Sequence, residues 1–495
     1  MDFVMPDFRL AAPELFVAGM SLVILMVTSF ATTRARSAAF WLCELALLGA
    51  LLLTLFSGDV QRSLTFSGMY MSDLFGSFLK ILVCLSVAVV LQYGRAYMAD
   101  RKIDSPEYYM MVLFAALGMM VLISASHFVS MYMGLELMSL SLYGLVAIDR
   151  DNPRSTEAGM KYFVLGALAS GLLLYGMSML YGATGTLEIH EIAQRIYERS
   201  ANDLVVVFGL VFVLVGIAFK LGVVPFHMWV PDVYHGAPTA VTLLVASAPK
   251  LAAFAMAFRV LVLGLFDLAE HWQSMLMLLA MASIILGNLA AVAQTNIKRM
   301  LAFSGISHMG FMLLGLLSGV VKGEGGTYAV NAYSSAMFYA VAYVMMTLAA
   351  FGMVILLSRA GFDAENVDDF KGLNQRSPWF ASMMLIVMFS MAGIPFFVGF
   401  FAKLSVLQAV IAAGNISNQP HYYWLAVVAV MMSVVGAFYY LRVVKVMYFD
   451  DATDQSPIVA TLGMRTLLSA NALSIAVVGL LPNWLMQICA FTLLH

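Results

Sequence analysis

Charge is scarce in this sequence. Only 11% of its 495 residues are Asp, Glu, Lys or Arg, 62% are hydrophobic, and mean hydropathy is +0.91. No soluble domain of this length has that composition, so the chain reads as a polytopic α-helical membrane protein. Its formal net charge of −2 leaves no basic surface for nucleic acid. Cysteine is scarce too: Cys43, Cys84 and Cys489 lie far apart in apolar runs. That spacing excludes a disulfide framework, a metal cluster and an iron–sulfur site. Also missing are a glycine-rich phosphate loop, a nucleophile motif and a facing pair of haem-type histidines. The opening Met-Asp-Phe-Val-Met-Pro-Asp-Phe-Arg lacks the basic start of a signal peptide, so the first apolar run is expected to stay as a helix. The sequence therefore predicts a chain that moves charge across a membrane, with no cofactor, no metal and no redox chemistry of its own.

What is abundant is apolar length. Windows of about 20 residues predict fourteen spans. They lie near 11–31, 38–57, 72–93, 107–125, 127–147, 160–181, 204–224, 239–263, 273–294, 300–320, 330–358, 379–400, 421–448 and 464–490. The seventh runs on past a break to about Tyr234, and the twelfth past its own to about Ala413. Leu187 to Ser200 reads as an amphipathic surface helix with Ile189, Ile192, Ile196 and Tyr197 on one side. With no Ser- or Pro-rich linker, 1–495 is one membrane domain. Loop cations fix an orientation. Sixteen Lys and Arg, among them Arg34, Arg36, Arg101, Arg154, Lys298, Arg299, Arg376 and Arg442, fall on one side. Five (Arg9, Arg62, Arg195, Arg199 and Lys322) fall on the other. Positive charge stays inside, so both termini are expected outside.

Five cations remain within spans: Lys80, Lys220, Lys250, Arg259 and Lys403. Lys220 precedes a stretch that cannot stay helical. Pro225, Pro231 and Pro238 each remove a backbone donor, and Gly222 and Gly236 permit unusual angles. Irregular backbone at membrane depth needs protein or a wet cavity around it, and an ionisable side chain beside it points to an ion path. The plainer alternative is a Lys snorkelling to the interface above a helix that Pro merely ends. Glu136, near the middle of span five, is costly unless protonated, paired or hydrated. Lys220 is its first expected partner; a neutral Glu bonded to Ser139 or Ser141 is the other reading. Lys250 follows Pro249 deep in span eight, where desolvation disfavours the charged amine and lets it exchange protons. Lys403 stands just past a second break made by Gly393, Pro395 and Gly399. His227 and His308 can relay protons or serve as structural histidines. Lys80 is expected to pair with Asp73 seven residues earlier. Arg259, near the outer end of its helix, is expected to snorkel, and Glu44 has no evident partner.

An internal echo accompanies the charges. Val-Val-Pro225-Phe-His returns 170 residues later as Gly-Ile-Pro395-Phe-Phe. Spans four to eight (107–263) and nine to thirteen (273–448) hold five helices each. An odd number forces opposite orientations, so the expected architecture is all-α with two inverted five-helix repeats, each carrying a broken helix.

At this point the sequence resembles the antiporter-like proton-translocating subunits of respiratory complex I, together with the related Mrp cation/proton antiporters. The resemblance covers nearly the whole chain. It rests on Glu136, Lys220 and the following Pro-Phe-His-x-Trp-x-Pro-Asp, Lys250, and Ser-Met-Ala-Gly-Ile-Pro with Lys403. Lys rather than Glu at 403, the segment Tyr162-Phe-Val-Leu-Gly-Ala-Leu-Ala-Ser-Gly, and the lack of residues for a lateral helix after span fourteen are similar to the N-type branch. The resemblance implies a multi-pass protein of the bacterial inner membrane, working as one subunit of a proton-translocating NADH:quinone oxidoreductase. Its partners would be a second antiporter-like subunit and small helical membrane subunits, with lipid, water and protons around them. Flavin, iron–sulfur clusters and quinone would belong to partner subunits. Protons would load Lys220 under control of Glu136, pass Lys250 and central waters, and leave by Lys403. An Mrp-type secondary antiporter subunit is the alternative, and a non-transporting scaffold a third reading.

Overall fold

The computed structural model describes residues 5–28, 33–58, 61–198, 203–320, 330–452, 456–458 and 460–494. Arg199, Lys322 and Ser200 lie outside the described residues, as do the side chains of Arg34 and Arg36. Among the described residues thirteen helices are long and apolar enough to cross a membrane. Two shorter apolar helices, Ala12–Val27 and Pro378–Ala392, join them, and the second is half of a broken span. Each of the fourteen expected spans thus has a helical counterpart, the first of them the shorter Ala12–Val27.

The chain begins with α1 (Ala12–Thr28) and α2 (Thr33–Ser57). A short hairpin follows, β1 (Ser63–Thr65) against β2 (Tyr70–Ser72), which the all-α expectation missed. Three residues per strand are too few for alternation to register in the sequence. Next come α3 (Leu74–Asp100), α4 (Pro106–Ser124), α5 (Phe128–Val146) and α6 (Pro153–Thr184). The amphipathic α7 (Ile189–Glu198) buries Ile189, Ile192 and Ile196 as its spacing required, while Tyr197 is exposed. Span seven is split into α8 (Leu204–Leu221) and α9 (Trp229–Gly236). Span eight is split as well, which the sequence reading did not anticipate: α10 (Thr239–Ala246) stops at Ser247, and α11 (Ala248–Ala257) restarts there. Pro249 in the new first turn has no N–H for the old ladder. A π-helical segment, Phe258–Gly264, completes the span.

Then come α12 (Ala269–Val292), α13 (Ile297–Leu317) and α14 (Val330–Leu357). The short α15 (Leu373–Arg376) leads to span twelve, split into α16 (Pro378–Ala392) and α17 (Val398–Ser417). The chain ends with α18 (Pro420–Phe449), α19 (Leu462–Leu480) and α20 (Pro482–Leu494). Pro482 breaks what the hydropathy reading had taken as one span. Helix starts follow local chemistry: Pro in the first turn of α4, α6, α16 and α18, and Asp or Asn side chains accepting backbone N–H groups before α3, α6, α8 and α13.

Two faces are recognisable. On the hairpin face, Tyr70 bridges to Ala125 and His127 to Glu188, and Phe128 N donates to Leu187 O at 2.9 Å. On the opposite loop face, Asn296 bridges to Asn366, and Ile297 N donates to Glu365 O at 2.7 Å. Some contacts repeat with a fixed offset. A Cβ on Gly118 would sit 2.4 Å from Met138 N and 2.8 Å from Gly134 O, so α4 and α5 touch backbone to backbone. A Cβ on Gly287 would sit 2.7 Å from Ser307 N and 2.8 Å from Phe303 O, between α12 and α13. All three residues of the second contact lie 169 positions after those of the first. The α10–α11–π stretch and α13 are buried along their whole apolar length, so they form the axis around which the other spans pack.

Candidate functional site

The two breaks end in the same way. At the close of α8, Gly222 takes a left-handed φ of 76°, Val223 N donates to Ala218 O at 3.1 Å, and Gly222 N to Phe219 O at 3.0 Å. At the close of α16, Gly393 has φ 88°, Ile394 N donates to Phe389 O at 3.0 Å, and Gly393 N to Ser390 O at 3.0 Å. This is the Schellman arrangement, which closes a helix but leaves its last carbonyls open. In each case a lysine fills that opening. Lys250 Nζ donates to Leu221 O at 2.8 Å and Lys220 O at 3.3 Å. Lys403 Nζ donates to Ala392 O at 3.0 Å and Met391 O at 3.2 Å. An aromatic ring backs each ammonium, Trp229 at 5.4 Å from Lys250 and Phe311 at 5.4 Å from Lys403. The negative end of a helix and a π-face both favour a cation there. The two seats are 171 residues apart, yet one lysine comes from the next span and the other from its own.

Lys220 turns the other way, toward α5. It is 7% exposed, and Nζ donates to Ser139 Oγ at 2.6 Å. Glu136, one turn earlier on α5, accepts from Ser170 Oγ of α6 at 2.5 Å. Among the described residues no ion pair joins Glu136 to Lys220, because a serine stands at each of them. Both can still act on one another through Ser139, three residues from Glu136. His227 lies in the irregular segment after the α8 break, with its Nδ1 buried beside the Pro225 backbone. Trp229 anchors that segment: its Nε1 donates to Phe219 O at 3.1 Å, and its ring stacks on Tyr162 at 4.5 Å.

His308 is held from both sides. Nδ1 lies 2.7 Å from Tyr339 Oη and Nε2 3.1 Å from Tyr440 Oη, and Tyr440 in turn bonds Ser304. Alongside, Tyr439 Oη donates to Asn288 Oδ1 at 3.0 Å, and Asn288 Nδ2 to Ser307 Oγ at 2.8 Å. These tyrosines were invisible in the sequence, where an aromatic in an apolar helix reads as packing. Only the i, i+4 pair Ser304 and His308 on α13 hinted at them.

Three pairings differ from expectation. Lys80 does not meet Asp73; its Nζ donates to Glu14 Oε1 at 3.0 Å and Tyr70 Oη at 2.9 Å. Arg259 does not snorkel; it is wholly buried and grips Asp73 with both Nη atoms, at 2.9 and 3.0 Å. Glu14 lies in the first turn of α1, Tyr70 in the hairpin and Asp73 at the N-cap of α3, and hydropathy does not say which spans are neighbours. Glu44 does have a partner, since Gln92 Nε2 donates to it at 3.0 Å. Lys298, counted among the loop cations, is 1% exposed, with Nζ 2.8 Å from Ala237 O and 3.4 Å from Glu365 Oε1. It sits beside a loop-face cavity of about 250 Å³ at the α9–α10 junction, lined by Arg101, Arg154, His235, Asp363 and Glu365 among others. Among the described residues no group of three or more His, Cys, Asp or Glu is arranged to hold a metal ion.

Comparison with known proteins agrees with this geometry. The profile of the family described as NADH:quinone oxidoreductase/Mrp antiporter, transmembrane, matches residues 125–430. The chain belongs to that family. Those residues hold Glu136, Lys220, Lys250, His308 and Lys403, so the antiporter-family match spans both breaks. The NADH-quinone oxidoreductase subunit N of Azoarcus sp. (strain BH72) is 66% identical, over 100% of this chain and 99% of that one. A chain of the respiratory complex I from Thermus thermophilus with bound aureothin is 29% identical, with TM-score 0.80, covering 97% of this chain and 99% of that one. The Mrp complex from Dietzia sp. DQ12-45-1b offers a chain of the same fold, TM-score 0.81 at 21% identity, covering 98% and 96%. The N-type resemblance read from the residues is the one the Azoarcus relative's name carries.

Proposed function

We propose that this chain is a proton-translocating membrane-arm subunit of a bacterial NADH-quinone oxidoreductase. Protons are taken up from the cytoplasm at the loop face and released at the hairpin face. One observation carries the reading: ionisable side chains at membrane depth, Lys220, Lys250 and Lys403, each sit at the end of a broken helix. Uptake runs through the charged cavity beside Lys298 and Glu365. Lys220, at the α8 end against α5, is loaded from it, with Glu136 acting on it across Ser139. The proton passes to Lys250, whose Nζ lies against the Lys220 carbonyl, then through His308, Tyr440 and central water to Lys403. Quinone reduction in partner subunits drives the cycle, and flavin and iron–sulfur clusters belong to those partners. These include a second antiporter-like subunit and small helical subunits of the inner membrane, with both termini periplasmic.

Two inverted repeats, 107–263 and 273–448, frame the path. The offset contacts support this. His127 with Glu188 lies on one face, and its counterpart, Asn296 with Asn366, on the other. A secondary cation/proton antiporter subunit, driven by the gradient alone, is the second reading, favoured by the shared fold of the Mrp complex chain.

Lys220→Ala in the assembled complex, read by pH-gradient formation and quinone-linked turnover in inverted membranes, tests the first reading. Loss of most of this subunit's pumping, with slowed electron transfer, is expected. Undiminished pumping contradicts it. Glu136→Gln should weaken coupling, and Glu136→Asp should retain part. Gradient formation by the isolated chain with a cation gradient, and no dependence on quinone turnover, would instead favour the antiporter reading.

A further inference from the structure

The outer end of the first repeat holds a buried arginine, paired with Asp73 at the start of α3, that the proton path above does not use. Arg259 is fully buried in the π-helical end of span eight, where the wider turn displaces side chains from the α-helical register. All three of its nitrogens are engaged: Nε donates to Ile123 O at 2.6 Å, and the two Nη atoms grip the Asp73 carboxylate. Asp73 Oδ1 also accepts Gly76 N at 2.8 Å, capping α3. The Phe75 ring lies 5.3 Å from the guanidinium. Between Lys250 and Arg259 the chain is Leu251, Ala252, Ala253, Phe254, Ala255, Met256, Ala257 and Phe258, all buried and all apolar. On the far side of Arg259 a vestibule of about 640 Å³ at the hairpin face is lined by Arg259, Phe258, Arg62, Glu188 and His190 among others.

A proton carried to Lys250 therefore stands one apolar segment away from an outward-facing cavity. If it crossed, the cycle would be short-circuited. We propose that the Arg259–Asp73 pair is the stopper that prevents this, making the first repeat a dead end on the hairpin face. It thereby fixes the route through the second repeat to Lys403. The chemistry suits the task. Guanidinium does not deprotonate in proteins, so it cannot hand a proton on. Paired with Asp73 it carries no net charge, and with Nε and both Nη atoms donating it offers a hydronium on either side no acceptor to protonate. The carboxylate accepts from both Nη atoms and a backbone N–H, which leaves it poorly able to receive a proton. Lys80 with Glu14 and Tyr70 closes the neighbouring gap between span one and span three as a second neutralised cluster.

This inference rests on the proton-translocation reading, and its test separates the two. The charge pair is removed without leaving a lone buried ion: Arg259→Met with Asp73→Asn, the Asn keeping a cap for α3. The purified complex is reconstituted in vesicles, and decay of an imposed pH gradient is followed with no NADH present. The expected result is a leak several-fold above the parent complex, abolished when Lys250→Met is added. A double variant as tight as the parent, in complexes that still transfer electrons, overturns the stopper. Arg259→Lys provides a milder version, since it keeps the charge but offers an amine that can deprotonate. It should leak, and a tight Arg259→Lys complex would count against the proposal. Lys220→Arg is run in parallel. If it pumps normally, the proton reading itself fails; if it stalls while the Arg259 variants stay tight, only the stopper does.

Discussion

The two broken helices make the most instructive comparison in the molecule. Both close with a left-handed glycine, both leave two carbonyls open, and both receive a lysine on those carbonyls. They differ in where the lysine comes from and in what else is present. At the α8 end, Lys250 arrives from the next span, and a second lysine, Lys220, is part of the helix end itself. At the α16 end, Lys403 comes from the continuation of the same span, and Met391 stands where Lys220 would be. A fold that keeps the seat while changing the residue that fills it shows that the open carbonyls are the requirement. Sequence position is secondary. In the proposed relay the α8 break is a two-lysine loading site and the α16 break a one-lysine release site.

The largest way to break that comparison is Lys403→Met. It removes the ammonium and leaves two buried carbonyls without a partner, about 1–3 kcal/mol each. Proton pumping assigned to the subunit should fall by roughly 10²-fold or more, the scale for losing a positioned proton-transfer group. Pumping within a factor of two of the parent would show that the α16 seat is only structural.

Next come the glycines. Gly222→Ala and Gly393→Ala both impose a left-handed alanine, at about 1–2 kcal/mol. Gly222→Ala should cost more, because its Cβ would meet Val230 Cγ2 at 2.7 Å, whereas that of Gly393 would meet the flexible Lys403 Cδ at 3.0 Å. Thermal unfolding of the two purified variants gives the order directly, and equal losses would argue against the tighter first break.

A contact without a counterpart at the α8 break sharpens the contrast. A Cβ at Gly479 in α19 would lie 2.5 Å from Phe396 O and Phe397 Cα, so the α16–α17 break rests on span fourteen next to that span's own break. Gly479→Val should lower pumping and stability together, through the α17 half. No change in either would mean the two breaks do not support one another.

The smallest expected effect is at the loop face. Lys161 is half-exposed, and its ammonium bonds Asp232 of α9 at 2.9 Å, with Arg299 on the other carboxylate oxygen at 2.8 Å. Lys161→Ala should change stability by no more than about 1 kcal/mol, as partly solvated pairs do. A larger loss in unfolding measurements would show that the clamp on α9 is as important as the seat at its start.

Much of this was legible in the sequence, for physical reasons that also explain the rest. Span number followed from apolar length, and the breaks at Pro225 and Pro395 from missing donors. Lys220, Lys250 and Lys403 stood out because a cation in an apolar run is expensive. What stayed hidden depended on contacts between distant segments. The hydroxyls of Ser139 and Ser170 that stand at Lys220 and Glu136 come from α5 and α6, and many serines in such helices simply bond their own backbone. Arg259 sat where snorkelling was plausible, and its Asp73 lies 186 residues away. Tyr339 and Tyr440 could not be told from packing aromatics until His308 was seen between them. Pro249, two residues past the stop at Ser247, was in plain view, but it was read as the neighbour of Lys250 and not as the break in span eight.

The central claim is that Lys220 carries a proton rather than a fixed charge. Lys220→Arg tests it most directly, because arginine keeps the positive charge and hydrogen-bonding ability but does not deprotonate. Proton translocation per quinone reduced is measured in membranes where assembly of the complex has been confirmed. The account predicts that the subunit's share is lost, and full translocation by assembled Lys220→Arg would contradict it.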